Sequence, residues 1–143
     1  TTATTSGPQQ GADTAREQRV YWLGLFVGLV LILIGVRFFL VPGSASFTFG
    51  VAHPPKGNEL HYVIGIRDIW LGAMAMAFAW IREWRALALW FVGAATCCLT
   101  DAVIVNQSTA NIYALAFHLG SGVLCLVLAR GAWILGNTLK PAP

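Results

Sequence analysis

The chain has 143 residues, 57% of them hydrophobic and 10% charged, with a formal net charge of +3. Soluble domains carry about 25% charged residues, so the composition excludes an ordinary soluble domain. The weak, scattered positive charge, with no basic run interleaved with aromatics, excludes a nucleic-acid binder. A membrane span needs about 20 apolar residues, so one domain of four spans with short loops uses most of the length.

Thr1 to Thr14 is rich in Thr, Gln, Gly and Pro. It cannot bury a core, and with the charged lead-in Ala15 to Arg19 it reads as a disordered tail, residues 1–19. Residues 20–139 read as the transmembrane domain. The first span is 20–41. It is full length and lacks a small-residue cleavage site after a short core, so it reads as a retained span rather than a signal peptide. Tyr21 and Trp22 suit an interfacial belt. Gly24, Gly28 and Gly35 permit close helix approach and allow a helix-mediated homodimer. Arg37 lies about one turn from the far end, and Pro42-Gly43 stops the helix.

Residues 42–59 form one long loop. Phe47, Phe49 and Val51 alternate with Thr48 and Gly50, a weak extended pattern, and His53-Pro54-Pro55 stiffens the second half of the loop. Such a loop is either a lid or a passive connector. The second span, 60–81, carries Arg67 and Asp68 in its interior. Arg82 to Arg85 is a charged turn. The third span, 86–105, carries Asp101 near its end, and Asn106 to Ala110 is a polar turn. Its Asn106-Gln107-Ser108 sequon lies too close to two span ends to be used. The fourth span, 111–135, carries His118. Cys97, Cys98 and Cys125 lie in apolar runs without redox spacing and read as small buried side chains.

Basic residues flanking the spans set orientation. Arg16, Arg19, Arg82, Arg85, Arg130 and Lys140 fall on one side and only Lys56 on the other. The expected fold is therefore an all-α integral-membrane four-helix bundle. Both termini are cytosolic, and the long loop between helices 1 and 2 is non-cytosolic. The membrane is the endoplasmic reticulum if the source is eukaryotic and the inner membrane if bacterial.

With this orientation the polar residues converge. Depths below the non-cytosolic surface are about 6 Å for Arg37, 10–12 Å for Arg67 and Asp68, 6–8 Å for Asp101 and 10 Å for His118, at 1.5 Å per residue. His61, Gly65, Asp68, Gly72 and Ala79 share one stripe of the second span. Trp90, Ala94, Cys97 and Asp101 share one on the third, and Asn111, Ala114, His118, Ser121, Gly122 and Cys125 share one on the fourth. This predicts a bundle closed on the cytosolic side, with a pocket opening toward the long loop. Charges at that depth cost about 2.5–3.5 kcal/mol each and are functional candidates by default. The competing reading is a packing network in which Arg67 pairs with Asp101, and Arg37 with Asp68.

An Arg-held carboxylate can act as a base, a carboxyl in an apolar pocket as an acid, and His118 as either. The set suits proton transfer on a lipophilic small molecule: isomerisation, cyclisation or epoxide opening. Asp101, Asp68, His118 and Arg67 are the candidate catalytic residues, and Arg37, Asn111, Trp70 and His61 the candidate substrate-binding ones. No cofactor is called for. Metal ligation reads poorly, because Asp101 and His118 supply only two ligands unless His53 and His61 add to them. Asp, Arg and Asp resemble the residue types of limonene-type epoxide hydrolases, whose soluble fold is unrelated.

The segment Ile66-Arg67-Asp68-Ile69-Trp70-Leu71-Gly72, with Arg37, Asp101 and His118, resembles a family of small four-helix microbial membrane proteins classed as a domain of unknown function. The resemblance covers about residues 20–135 and rests on the RDxxxG pattern. Some members of that family sit among fungal natural-product genes, which implies lipophilic small-molecule substrates. The alternative to an enzyme is a non-catalytic assembly or carrier subunit whose buried charges fix helix packing.

Overall fold

The computed structural model describes residues 8–51 and 57–139. Among them are five helices: α1 (Pro8–Leu40), α2 (Pro42–Phe49), α3 (Glu59–Trp80), α4 (Trp84–Ser108) and α5 (Ile112–Thr138). Four of these, α1, α3, α4 and α5, are long and apolar enough to cross a membrane. Residues 1–7 of the expected disordered tail, the His53-Pro54-Pro55 stretch, Lys56 and the end from Lys140 lie outside the described residues.

Two expectations need correction. First, residues 8–19 are helical rather than disordered, because extending an existing helix adds a hydrogen bond per residue without a new nucleation cost. Asp13 and Arg16 pair one turn apart at 3.1 Å, and Glu17 pairs with Arg82 at 2.7 Å. Second, the long loop opens with α2, where an extended segment was expected. Pro42 occupies its first turn, and Gly50 closes it in the left-handed region at φ 98°. Pro at a helix start and Gly just past its end are the start and stop signals that the extended reading of Phe47 to Val51 passed over. The third span also outruns its expected end and takes Asn106 to Ser108 into its last turn.

The spans form two antiparallel pairs, α1 with α3 and α4 with α5, and contact between the pairs is sparser. The first pair is built on glycine. A Cβ at Gly28 would lie 2.6 Å from the carbonyl oxygen of Gly72, and one at Gly35 would lie 2.5 Å from that of Gly65. The contacts repeat at seven-residue intervals on both helices, so one face of each lies backbone to backbone against the other. Gly24, Gly28 and Gly35 are thus spent inside the chain, against Ala79, Met76 and Ile69 among others. They do not supply the dimer face for which they were candidates.

One end of the molecule gathers the start of α1, the α3–α4 turn and the end of α5. There Glu17 holds Arg82, and Arg85 donates to Asn137 at 2.6 Å. We call it the basic end. The apolar core lies in that half, from Val20, Ala75, Ala79, Leu87, Phe91, Leu128, Ala132 and Leu135. Exposed Trp22, Trp80 and Trp133 ring the basic end, and exposed Tyr62 and Tyr113 mark the other. Tyr113 to Trp133 spans about 30 Å at 1.5 Å per residue, the thickness of a bilayer core.

The glycine contact makes a sharp prediction. Gly72→Ala should cost about 1–3 kcal/mol through overpacking, read as a fall in Tm in detergent. Gly93, whose Cβ would meet open space, should tolerate Ala with no fall, since Ala is the better helix former by up to about 1 kcal/mol. Equal losses at both positions would contradict the close α1–α3 approach.

Candidate functional site

The half of the bundle away from the basic end holds the polar side chains. Arg67 on α3 donates from Nε to Asp68 Oδ1 at 2.9 Å and from Nη2 to Asp101 Oδ2 on α4 at 3.4 Å. The two carboxylates are deeply buried, with side chains 7% and 11% exposed, whereas that of Arg67 is 36% exposed. Asp68 lies on the buried stripe of α3 with His61, Gly65 and Gly72, and the flank it shares with Arg67 faces α4. The guanidinium therefore lies in the seam between the two helix pairs, its open edge directed outward.

His118 on α5 is buried and within electrostatic reach of Asp68. Its Nε2 bonds the carbonyl oxygen of Phe49 at 3.3 Å, so that nitrogen carries the proton. The rings of Phe49 and Phe117 meet it edge-on at 4.8 and 5.7 Å. The formal charges of the cluster are one positive and two negative, with His118 free to add a second positive. In surroundings of low dielectric an unbalanced charge is expensive. Neutrality calls for one proton on the cluster or a cation bound to it.

α2 closes the end above this cluster. Arg37 reaches from the last turn of α1 and donates from Nη2 to Ser44 Oγ at 2.9 Å and Thr48 Oγ1 at 2.8 Å. Ser46 Oγ is hydrogen-bonded to Nε2 of buried His61. Thr109 Oγ1 donates to the Gly50 carbonyl at 2.8 Å. A Cβ on Gly50 would press on Val105 and Ala114 at 2.9 Å, so the loop leaves α2 through a gap between α4 and α5 that only glycine fits.

Of the candidate residues, Arg67, Asp68 and Asp101 come together, and His118 is buried within electrostatic reach of Asp68 but bonded to the Phe49 carbonyl. The other four lie apart. Arg37 pairs with neither carboxylate, because α2 offers it hydroxyls nearer the helix end. His61 faces α2 and not the cluster. Asn111 is the N-cap of α5, its Oδ1 accepting from the amides of Tyr113 and Ala114 at 3.0 and 3.4 Å. Trp70 is 66% exposed on the outer face of α3. The pocket expected to open toward the loop is closed by α2. Beneath it, between Phe38, Ser46, Phe49 and His61, remains a cavity of about 20 Å³, room for one water. The Nδ1 of His61, buried and without a partner among the described residues, borders it. Sequence reasoning missed Ser44, Ser46, Thr48 and Phe49 as neighbours of the site. Their signal was the Pro42-to-Gly50 frame of a short helix. No three His, Cys, Asp or Glu side chains among the described residues converge as a metal site.

The charge count predicts unequal responses to mutation. Arg67→Gln strands two carboxylates and should destabilise by about 3–5 kcal/mol. Asp101→Asn leaves the Arg67–Asp68 pair neutral and should cost clearly less. Thermal and denaturant unfolding of both variants in detergent checks the order, and the reverse order would refute the count.

A family model described as a domain of unknown function (DUF4267) matches residues 28–133. Comparisons with curated proteins and with solved structures find no match. The matched stretch contains Arg37, Arg67, Asp68, Asp101 and His118 together with α2, α3, α4, the second part of α1 and most of α5. The chain belongs to the DUF4267 family.

Proposed function

We propose that the chain is a membrane-embedded acid/base enzyme that moves protons on a lipophilic small molecule, in an isomerase, cyclase or epoxide-opening reaction. The observation that carries this reading is the charge imbalance at Arg67. One guanidinium faces two buried carboxylates from neighbouring helices. A cluster that needs a proton for neutrality is poised to give one up and take one back. One carboxyl of Asp68 and Asp101 serves as the acid. The other, held ionised by Arg67, serves as the base, with His118 as shuttle. Arg67 also has donors to spare for a developing oxyanion.

Access follows from α2. With the loop end capped, the outward edge of Arg67 at the α3–α4 seam is the approach that supports this reading, and a bilayer-dissolved substrate arrives from that side. Arg19, Arg82, Arg85 and Arg130 support an orientation with the basic end in the cytosol and α2 on the opposite side. The host membrane is the endoplasmic reticulum in a eukaryote or the inner membrane in a bacterium. The resemblance to a family with members beside fungal natural-product genes supports lipophilic substrates.

A second reading is favoured by two observations. Arg67 is a polar link between sparsely touching helix pairs, and the cavity beneath α2 has room for a water and not for a substrate. In that reading the chain is a non-catalytic assembly or carrier subunit whose ion cluster fixes packing. Reconstituted protein incubated with polyene and epoxide panels in deuterated water separates the two. The enzyme reading expects product from wild type, carrying deuterium on carbon where the step protonates carbon (isomerisation or polyene cyclisation) and detected by mass as the opened product where it protonates an epoxide oxygen, with the rate falling about 10²–10⁴-fold in folded Asp101→Asn and His118→Ala. Turnover by these variants at the wild-type rate, or loss of stability in Asp101→Asn with no separable loss of activity, would refute it.

A further inference from the structure

A second feature lies far from the ion cluster, on the outer face of the α4–α5 pair. A groove of about 290 Å³ runs there between Leu89 and Val92 of α4 and Leu126, Ala129, Arg130 and Trp133 of α5. Its walls are apolar and exposed. Its mouth, at the basic end, is cationic. Arg130 stands one turn deeper than Trp133 on the same face of α5, and Arg85 lies over the Trp133 ring at 5.6 Å.

Among the other arginines near this end, Arg19 is exposed on α1 and does not line the groove, and the remaining two are held in ion pairs. Arg16 is held by Asp13, and Arg82 by Glu17. Neither Arg85 nor Arg130 has a carboxylate among the described residues, and Glu83 in the adjoining turn pairs with neither. Arg85 has a neutral partner, Asn137. Arg130 is exposed and lines the groove, on the turn of α5 next to Trp133, and an arginine at such a level can lay its stem on apolar surface and reach its head to the interface. An apolar channel that ends in two carboxylate-free guanidiniums beside an interfacial tryptophan is complementary in shape and charge to an acyl chain below a phosphate. A protein anion would match the arginines but not the channel, and a neutral lipid the channel but not the arginines.

We infer that this groove is a binding site for an anionic phospholipid. One acyl chain lies between α4 and α5, and the phosphate is held by Arg85 and Arg130 against Trp133. The inference is independent of the ion cluster and of the reaction proposed for it.

The test uses the full chain in vesicles of phosphatidylcholine containing phosphatidylglycerol, with bromine on the acyl chains of one lipid or the other. The quenching of Trp133 is obtained by difference from Trp133→Phe. Brominated phosphatidylglycerol should quench Trp133 more strongly than brominated phosphatidylcholine at equal bulk content. The excess should vanish in Arg85→Gln/Arg130→Gln, and in wild type at high salt, which screens an interfacial phosphate contact. Inorganic phosphate at low ionic strength should leave it intact. Equal quenching by the two lipids, or an excess that survives both the double variant and high salt, would overturn the site. Loss of the excess on adding inorganic phosphate would overturn its assignment to a lipid.

Discussion

Arg67 is held between two carboxylates in the interior of a helix long and apolar enough to cross a membrane, and much of the structure can be read as the means of holding it there. A lone charge at a helix centre costs several kcal/mol on insertion. The pairing with Asp68 offsets part of that cost within α3, and the pairing with Asp101 does so across to α4. The second contact joins helices from different pairs, so it adds a polar link to the apolar packing that α3 and α4 share through Ala75, Ala79, Leu87 and Phe91. The cluster cannot be neutral by pairing alone, since two carboxylates face one guanidinium. That one missing positive charge is what turns a packing contact into candidate proton chemistry.

The apolar half and the polar half divide the work. Near the basic end, alanines, leucines and aromatic rings fill the interior without charged groups, and the indole nitrogen of Trp90 is buried there without a hydrogen-bond partner among the described residues. In the other half the glycine contacts bring α1 and α3 together so closely that their backbones touch, and α3 is fixed as a rigid support for Arg67 and Asp68. α2 then seals the end through hydroxyls. Ser44 and Thr48 satisfy Arg37, Ser46 bonds Nε2 of His61 and leaves its Nδ1 without a partner among the described residues, and the Phe49 carbonyl accepts from Nε2 of His118. The polar groups on the rim of the site are therefore spent on α2, and those at its centre on one another.

The span count and the cluster were legible because both rest on strong signals. Four apolar stretches at membrane length leave little choice of fold, and charges within them are rare enough to mark a site. Stripe periodicity placed Asp68, Asp101 and His118 on inward faces correctly. Arg37 was misassigned because depth along a helix says nothing of azimuth, and its partners sat in a segment read as loop. Trp70 lies apart from the cluster for the same reason, near Arg67 in sequence but on the exposed outer face of α3. Gly28 and Gly35 were legible as a close-contact motif, but a motif of this kind does not say whether its partner is a second chain or the next span. The water-sized cavity was beyond sequence reasoning altogether, because it depends on how α2 seats.

The central claim is that the buried cluster carries one proton. Isotope-edited infrared spectroscopy of the reconstituted protein at neutral pH, with labelled aspartate and histidine, reads it directly. The account predicts either a carboxylic-acid carbonyl band removed by Asp68→Asn or Asp101→Asn, or an imidazolium mode removed by His118→Gln. Fully ionised aspartates beside a neutral His118 would contradict it.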